Sequence, residues 1–564
     1  MILAVVFVAH TKAQELSTIA DTFFIKTTGG INAGLSAYTV HGMERRQDPF
    51  SYLVNANLNF NISDIISMPF SATLCNGSKT YNQPSFYQFG MSPTYKSITL
   101  HGGYRNMRFS KYTLNGISYL GGGVEVNPPE GYVRFKAVYG RLAKGIPFQD
   151  NIQGKIELPS YARWGWGSML TLGTSDNFVD LIIFKASDNP RSVNIPDSLL
   201  IQPKENLVLG FNTQLKLLKV ISIKTEYAFS AFTEDTRMPE IVYDRYTYLN
   251  NLGGLFTPRE SSNLSKAFSM NLGYTHEVFS LGFSFENVAP DYKTLGSSYF
   301  SNDFRNYLFN ASVSLMQNKI TLSGSYGVQQ NNLSKEKEET TKRIIGSVQA
   351  IYSISDRLNV SANYSNFTTN TTPSVVYLVD SVKMVQVAQN VGGTVNYTLP
   401  GKTVQQSVSV SANLQYSDLL NNMATEVVES NTKSNVFVFS YTASHDPTKL
   451  TASASYNMMT FGTADQQTRS HGPTLNLQRP FLNNKIRSGL SCTLMNSKTN
   501  DQSSKTTVLR FTNSYSPIKK HTVQFNLSYS RMNRPDMSEQ TEEGDPPHIV
   551  SGELRAALNY SVNF

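Results

Sequence analysis

Along most of the chain every second residue is apolar. Counting back from Phe564, the residues Val562, Tyr560, Leu558, Ala556 and Leu554 alternate with Asn563, Ser561, Asn559 and Arg555. A period of two gives a strand with one apolar and one polar face. The same alternation runs through Val523 to Tyr529, Leu450 to Met458, Val408 to Tyr416, Leu358 to Tyr364 and Ile320 to Tyr326. In the stretch Ile221, Ile223, Thr225, Tyr227, Phe229 it assigns Ser222, Lys224, Glu226 and Ser230 to the polar face. Thr99, His101 and Arg105 likewise stand opposite Ile98, Leu100 and Tyr104.

Connections between these runs alternate between short and long. Short turns are expected near Ser63-Asp64, Ser92-Pro93-Thr94, Pro128 to Gly131, Ser175-Asp176, Gln317 to Lys319, Ser355 to Arg357, Pro400 to Lys402, His445 to Lys449 and Pro517 to Lys520. Longer connections fall near 43 to 49, 77 to 85, 143 to 161, 188 to 204 and 532 to 549. The count comes to roughly 26 strands, within a range of about 22 to 28, an even number with both ends on the side of the tight turns. The Gly-rich stretch from Gly102 to Gly123 resists this parsing.

Composition narrows the class. Charged residues make up 16% of the chain, below the quarter or so usual for soluble domains, and Phe (32) and Tyr (30) far outnumber Trp (2). Beyond the first residues no apolar run reaches the ~18 to 20 residues of a membrane helix. Strands that span a bilayer must close into a barrel to satisfy their backbone groups.

The C-terminal strand, with Tyr560 and Val562 leading to a terminal Phe564, resembles the assembly signal of bacterial outer-membrane β-barrels. That resemblance implies an all-β fold: a single large antiparallel transmembrane up-and-down barrel, porin-like, in the outer membrane of a Gram-negative bacterium. Its tight turns would be periplasmic and its long loops extracellular. It also implies the lipid bilayer and the barrel assembly machinery as partners. The Tyr-, Asn- and Ser-rich strands are similar in style to large barrels of Bacteroidota-like bacteria. The expected division is a signal peptide at 1–13, with Thr11-Lys12-Ala13 as cleavage site, a short periplasmic segment at 14–28, and the barrel at 29–564.

About 26 strands, spaced about 4.8 Å and tilted about 40°, enclose a lumen on the order of 50 Å across. Such a lumen needs occlusion by loops, by flattening or by a partner such as a lipoprotein, since no plug domain is visible ahead of the barrel. The longest connection, Thr233 to Lys266, is apolar, and Met238, Ile241, Tyr243, Tyr246, Tyr248, Leu252 and Phe256 are the candidates for a gate or partner contact. The candidate lumen-lining residues are His101, Arg105, Arg134, Lys136, Lys224 and Glu226. The charge-rich segments Ser334 to Glu339 and Glu539 to Pro547 read as solvated caps.

Catalytic, cofactor and metal sites are not expected. The eight histidines form no hydrolase or zinc motif, His445-Asp446 sits in a turn, and Cys75 and Cys492 show no metal spacing. The net charge of +8 is spread along the chain without a nucleic-acid patch. No energy-coupling box and plug of a TonB-dependent receptor is seen. Strand number is similar to the lipopolysaccharide-inserting barrel, but that family's jelly-roll domain and disulfide pairs are missing. Two functions remain: a channel or translocation pore for a bulky solute, lipid or polypeptide, or a non-conducting scaffold within a multi-protein outer-membrane machine with surface lipoproteins.

Overall fold

The computed structural model of the protein describes residues 23–76, 86–129, 131–148, 159–242, 244, 254–373, 383–423, 426–463, 465–500, 502–535 and 548–564. The expected signal peptide, Tyr243, Tyr246, Tyr248, Leu252 and the Glu539 to Pro547 cap lie outside them.

Strand accounts for 73% of the chain, arranged as a closed antiparallel barrel of 26 wall strands. Each strand pairs with the next in sequence, and the first, Ile25–His41, closes the ring by pairing with the last, His548–Asn563. Gly30 faces Asn563 and His41 faces Gly552 across that seam. The first strand starts at Ile25, opposite Ile62, four residues ahead of the expected boundary at Gly29. Closure leaves no unpaired edge, which is what a strand-built span requires.

The alternation sorts side chains onto two faces. Leu181, Leu209, Phe211, Tyr227, Leu281 and Phe309 stay exposed on one face, and their odd-numbered register is continuous across neighbouring strands. That set forms the outer surface. On the tallest part of the wall, Lys433 sits 5.7 Å over the Tyr416 ring. The outward charges Asp418, Lys433 and Arg469 occupy the long-loop end there, and Arg479 lies beside the opposite turn. A Lys or Arg at the bilayer midplane would cost about 2 to 4 kcal/mol, which is why the band between is apolar.

Wall height varies around the ring. Strands Ile98–Asn106 and Ser118–Val126 have 9 residues, while Val404–Met423 and Glu426–His445 have 20. The short side also carries a row of glycines. Gly90, Gly103, Gly121, Gly140 and Gly165 stand opposite one another in register across consecutive wall strands, all facing inward. A Cβ on Gly121 would lie 2.2 Å from the Tyr139 carbonyl oxygen and 2.5 Å from the Gly140 Cα. Only glycine tolerates that approach, and such a row marks a barrel corner.

Two expectations about connections need correction. The turn expected at Ser92-Pro93-Thr94 falls instead at Lys96-Ser97, between Thr94–Tyr95 and Ile98–Asn106. Pro93 cannot donate to the ladder, so it splits one wall strand into Phe86–Met91 and Thr94–Tyr95, both paired to the same neighbours. The alternation of short and long connections also fails on the tall side, where Met423 pairs directly with Glu426 and Thr499 with Gln502. Cys75 and Cys492 form no disulfide.

Candidate functional site

The stretch that defeats strand parsing, 107–117, turns into the lumen, and the connection 289–303 joins it. Together they bury Met107, Phe109, Tyr112, Leu114, Tyr292 and Leu295. Against them pack inward side chains of the wall: Tyr119, Val138, Met169, Ile182, Phe184, Val208, Ala228 and Val288. Tyr112, Leu114 and Tyr292 have no exposed surface at all. The inner wall is apolar here for a simple reason. It faces protein, and each aromatic buried this way contributes on the order of 2 to 3 kcal/mol.

Polar contacts set the register of the two loops. The Tyr292 hydroxyl donates to the Tyr112 carbonyl oxygen at 2.6 Å, Thr294 Oγ1 to the Thr113 oxygen at 2.9 Å, and the Asn115 amide to the Gly296 oxygen at 2.8 Å. Gly296 is required by this contact, since a Cβ there would sit 2.4 Å from the Thr113 oxygen. Tyr112, Tyr292 and Phe300 meet edge-on or tilted at 5.3 to 6.2 Å between ring centres. Burial pushes both tyrosine hydroxyls above their usual range, and for Tyr112 the neighbouring Glu286 carboxylate pushes the same way.

The loops are also pinned to the wall. Glu286 Oε1 accepts from the Tyr112 hydroxyl at 2.7 Å and pairs with Lys111 Nζ at 2.5 Å. Glu226 Oε2 accepts from the Lys111 amide at 3.2 Å, Ser230 Oγ donates to the Lys293 oxygen at 2.7 Å, and Asn206 Oδ1 accepts from the Leu295 amide at 3.1 Å. Lys293 further pairs with Glu234, which also holds Lys204 Nζ at 3.1 Å. Asp303, at the end of the second loop, is 1% exposed and caps the next connection. Its carboxylate accepts the Leu333 amide at 2.8 Å and the Asn332 amide at 3.1 Å and pairs with Lys337.

Of the residues singled out in the sequence, Glu226 touches this plug, while Lys224 lies on the same face two residues nearer the tight turn. His101 and Arg105 lie on Ile98–Asn106, and Arg134 and Lys136 on Val133–Ala143, with Ser118–Val126 between them. His101 Nδ1 is 2.8 Å from Ser92 Oγ, and its Nε2 is 3.2 Å from Glu125 Oε1, whose second oxygen pairs with Lys136 Nζ at 3.0 Å. A hydroxyl, an imidazole and a carboxylate in series suggest a relay. Here, however, the Ser92 amide donates to the Pro69 oxygen and Pro93 has none to offer, so no free amide adjoins the hydroxyl. The group ties down the interrupted strand. Arg105 does the same, reaching Ser71 Oγ at 3.0 Å and the carbonyl oxygens of Met91 at 3.2 Å and Pro69 at 3.1 Å. Arg134 stacks 5.4 Å over Phe178 and donates to the Thr174 oxygen at 3.0 Å.

Part of the apolar 234–261 connection, the candidate gate or partner contact, lies among the described residues. Phe256, 3% exposed, packs with Leu255 on Leu207, Ala231, Ile183 and Leu264. Those wall residues belong to the outward register, so this end of the loop lies against the outside of the barrel. Lys185 Nζ, on the same outer face, donates to the Gly254 oxygen at 3.1 Å and pairs with Glu205 at 3.0 Å. Met238 and Val242 are exposed, and Ile241 donates its amide to the Pro258 oxygen at 3.0 Å.

Across the ring from the plug, on the strands from Leu358–Pro373 to Gln467–Phe481, the inward register is Ser, Thr, Asn and Gln with a few apolar residues. Among the described side chains it carries no charge.

Neither a known family profile nor any curated protein matches the sequence. Among solved structures, the translocation pore of the P pilus usher PapC is similar over 96% of this chain and 100% of that one, at 10% identity and a TM-score of 0.39. Pseudomonas aeruginosa OccK3 (OpdO) is similar over 61% of this chain and 91% of its own, at 10% identity and a TM-score of 0.32. Pseudomonas aeruginosa OpdK with vanillate is similar over 64% and 94%, at 8% identity and a TM-score of 0.26. The barrel itself rests on this chain's own strand register.

Proposed function

We propose that the protein is an outer-membrane channel that passes a bulky solute through a lumen narrowed by its own loops 107–117 and 289–303. The observation that carries this reading is the one-sided plug. Among the described residues, the plug's buried wall contacts fall on strands between Ser118 and Phe304, and the inward face of the strands from 358 to 481 is hydrophilic. Loops of this length, held to one side, narrow a lumen on the order of 50 Å without filling it.

The purified chain reconstituted in planar bilayers tests the proposal: discrete conductance steps are expected. The alternative is a non-conducting scaffold, for which the exposed Met238 and Val242 would offer a contact surface to a partner such as a lipoprotein. Silence in the bilayer, together with stoichiometric lipoproteins recovered from native membranes, would decide for the scaffold.

A further inference from the structure

We infer that the conduit takes an uncharged, hydroxyl-rich solute, a neutral carbohydrate chain, along the arc between Leu358 and Phe481. This rests on the channel reading and adds the chemistry of what passes.

The barrel divides its inward charges unevenly. Lys111, Glu226 and Glu286 sit at the plug, His101, Glu125 and Lys136 on the short side, and Arg343, Arg487, Arg510, Glu553 and Arg555 on the strands that flank the arc. The facing arc has none among its described side chains, although the chain as a whole carries +8. Neutral amides and hydroxyls there are organised into cross-strand ladders. Asn390 exchanges hydrogen bonds with Asn413 at 3.2 Å in both directions and accepts one from Asn363 at 3.4 Å. Asn476 Nδ2 donates to Ser453 Oγ at 3.1 Å, and Ser470 lies 2.8 Å from Ser497.

These ladders fix the side chains without exhausting them. An amide offers two donors and an acceptor with two lone pairs, and a hydroxyl one donor and two lone pairs. Each rung uses one or two, leaving both donors and acceptors facing the lumen. Sugar hydroxyls need that mixture, because each must both give and accept. A charged solute gains nothing on this arc, since selectivity for ions comes from fixed charges lining the path. A polypeptide would carry charged side chains past a wall that offers them no partner.

The test uses the full chain in liposomes and in planar bilayers across a KCl gradient. Neutral oligosaccharides such as raffinose should cause swelling, while uronic-acid oligosaccharides of equal size should enter no faster. Asn390→Asp and Ser411→Asp, which place a charge on the arc, should each shift the reversal potential toward cation preference. Exclusion of neutral sugars by a chain that conducts, or a reversal potential that Asn390→Asp and Ser411→Asp leave unmoved, overturns the carbohydrate assignment and leaves the channel standing. Absence of both conductance and swelling overturns the channel reading itself, and the inference with it.

Discussion

Tyr292 and Asp303 bracket the second plug loop and fail in different ways. Tyr292 is fully buried and holds the Tyr112 carbonyl. Tyr292→Ala should cost about 3 to 5 kcal/mol locally, from the lost ring and the unpaired oxygen. Hydrogen exchange at 107–117 should rise while the wall strands stay protected; unchanged exchange would mean that the loop is held otherwise. Burial alone would raise the Asp303 carboxyl, but Lys337 and the amides of Leu333 and Asn332 outweigh it and hold it below its usual value. A depressed folded value means the stabilisation is present above the unfolded pKa, about 3.9, and is lost as the pH falls through the folded value. Proteolysis within 332–338 should therefore increase below about pH 4, and Asp303→Asn should show that susceptibility at neutral pH. Insensitivity of the variant would contradict the capping role.

The strands were legible in the sequence where one wall face meets lipid and the other water. Leu450 to Met458 and Val408 to Tyr416 alternate for that reason. Legibility ends where the inner face meets protein. Around Leu181-Ile182-Ile183-Phe184 both faces are apolar, Ile182 and Phe184 under the plug and Leu181 outside. There the period of two disappears. The glycine corner has no hydropathy signal, and Gly102 to Gly123 therefore read as noise. Loop 107–117 escapes the strand pattern because its apolar residues follow no period, although Met107, Phe109, Tyr112 and Leu114 in a connecting segment are themselves a signal of burial. Loop 234–261 was visible as apolar, yet its side of the wall depends on strand parity at Leu207 and Ala231, which composition does not reveal. Since Phe256 lies outside, replacing 244–256 with a Gly-Ser linker should leave conductance unchanged while lowering the temperature of unfolding. A rise in conductance would place part of that loop in the mouth.

At the scale of the whole molecule, a short side carrying the plug stands against a tall side whose strands from 358 to 481 hold no inward charge among the described side chains. The glycine row and the Pro93 interruption belong to the first, and the ladders around Asn390 to the second. On the proposed reading both sides serve one arrangement, in which the plug has an apolar wall to pack on and a solute would have a polar wall to pass along. Single-channel recording of the unaltered chain beside a variant with 107–117 and 289–303 both replaced by short Gly-Ser linkers tests this directly. The account predicts that the unaltered chain conducts and that the variant, inserted equally well, conducts severalfold more. Equal conductance of the two would contradict it.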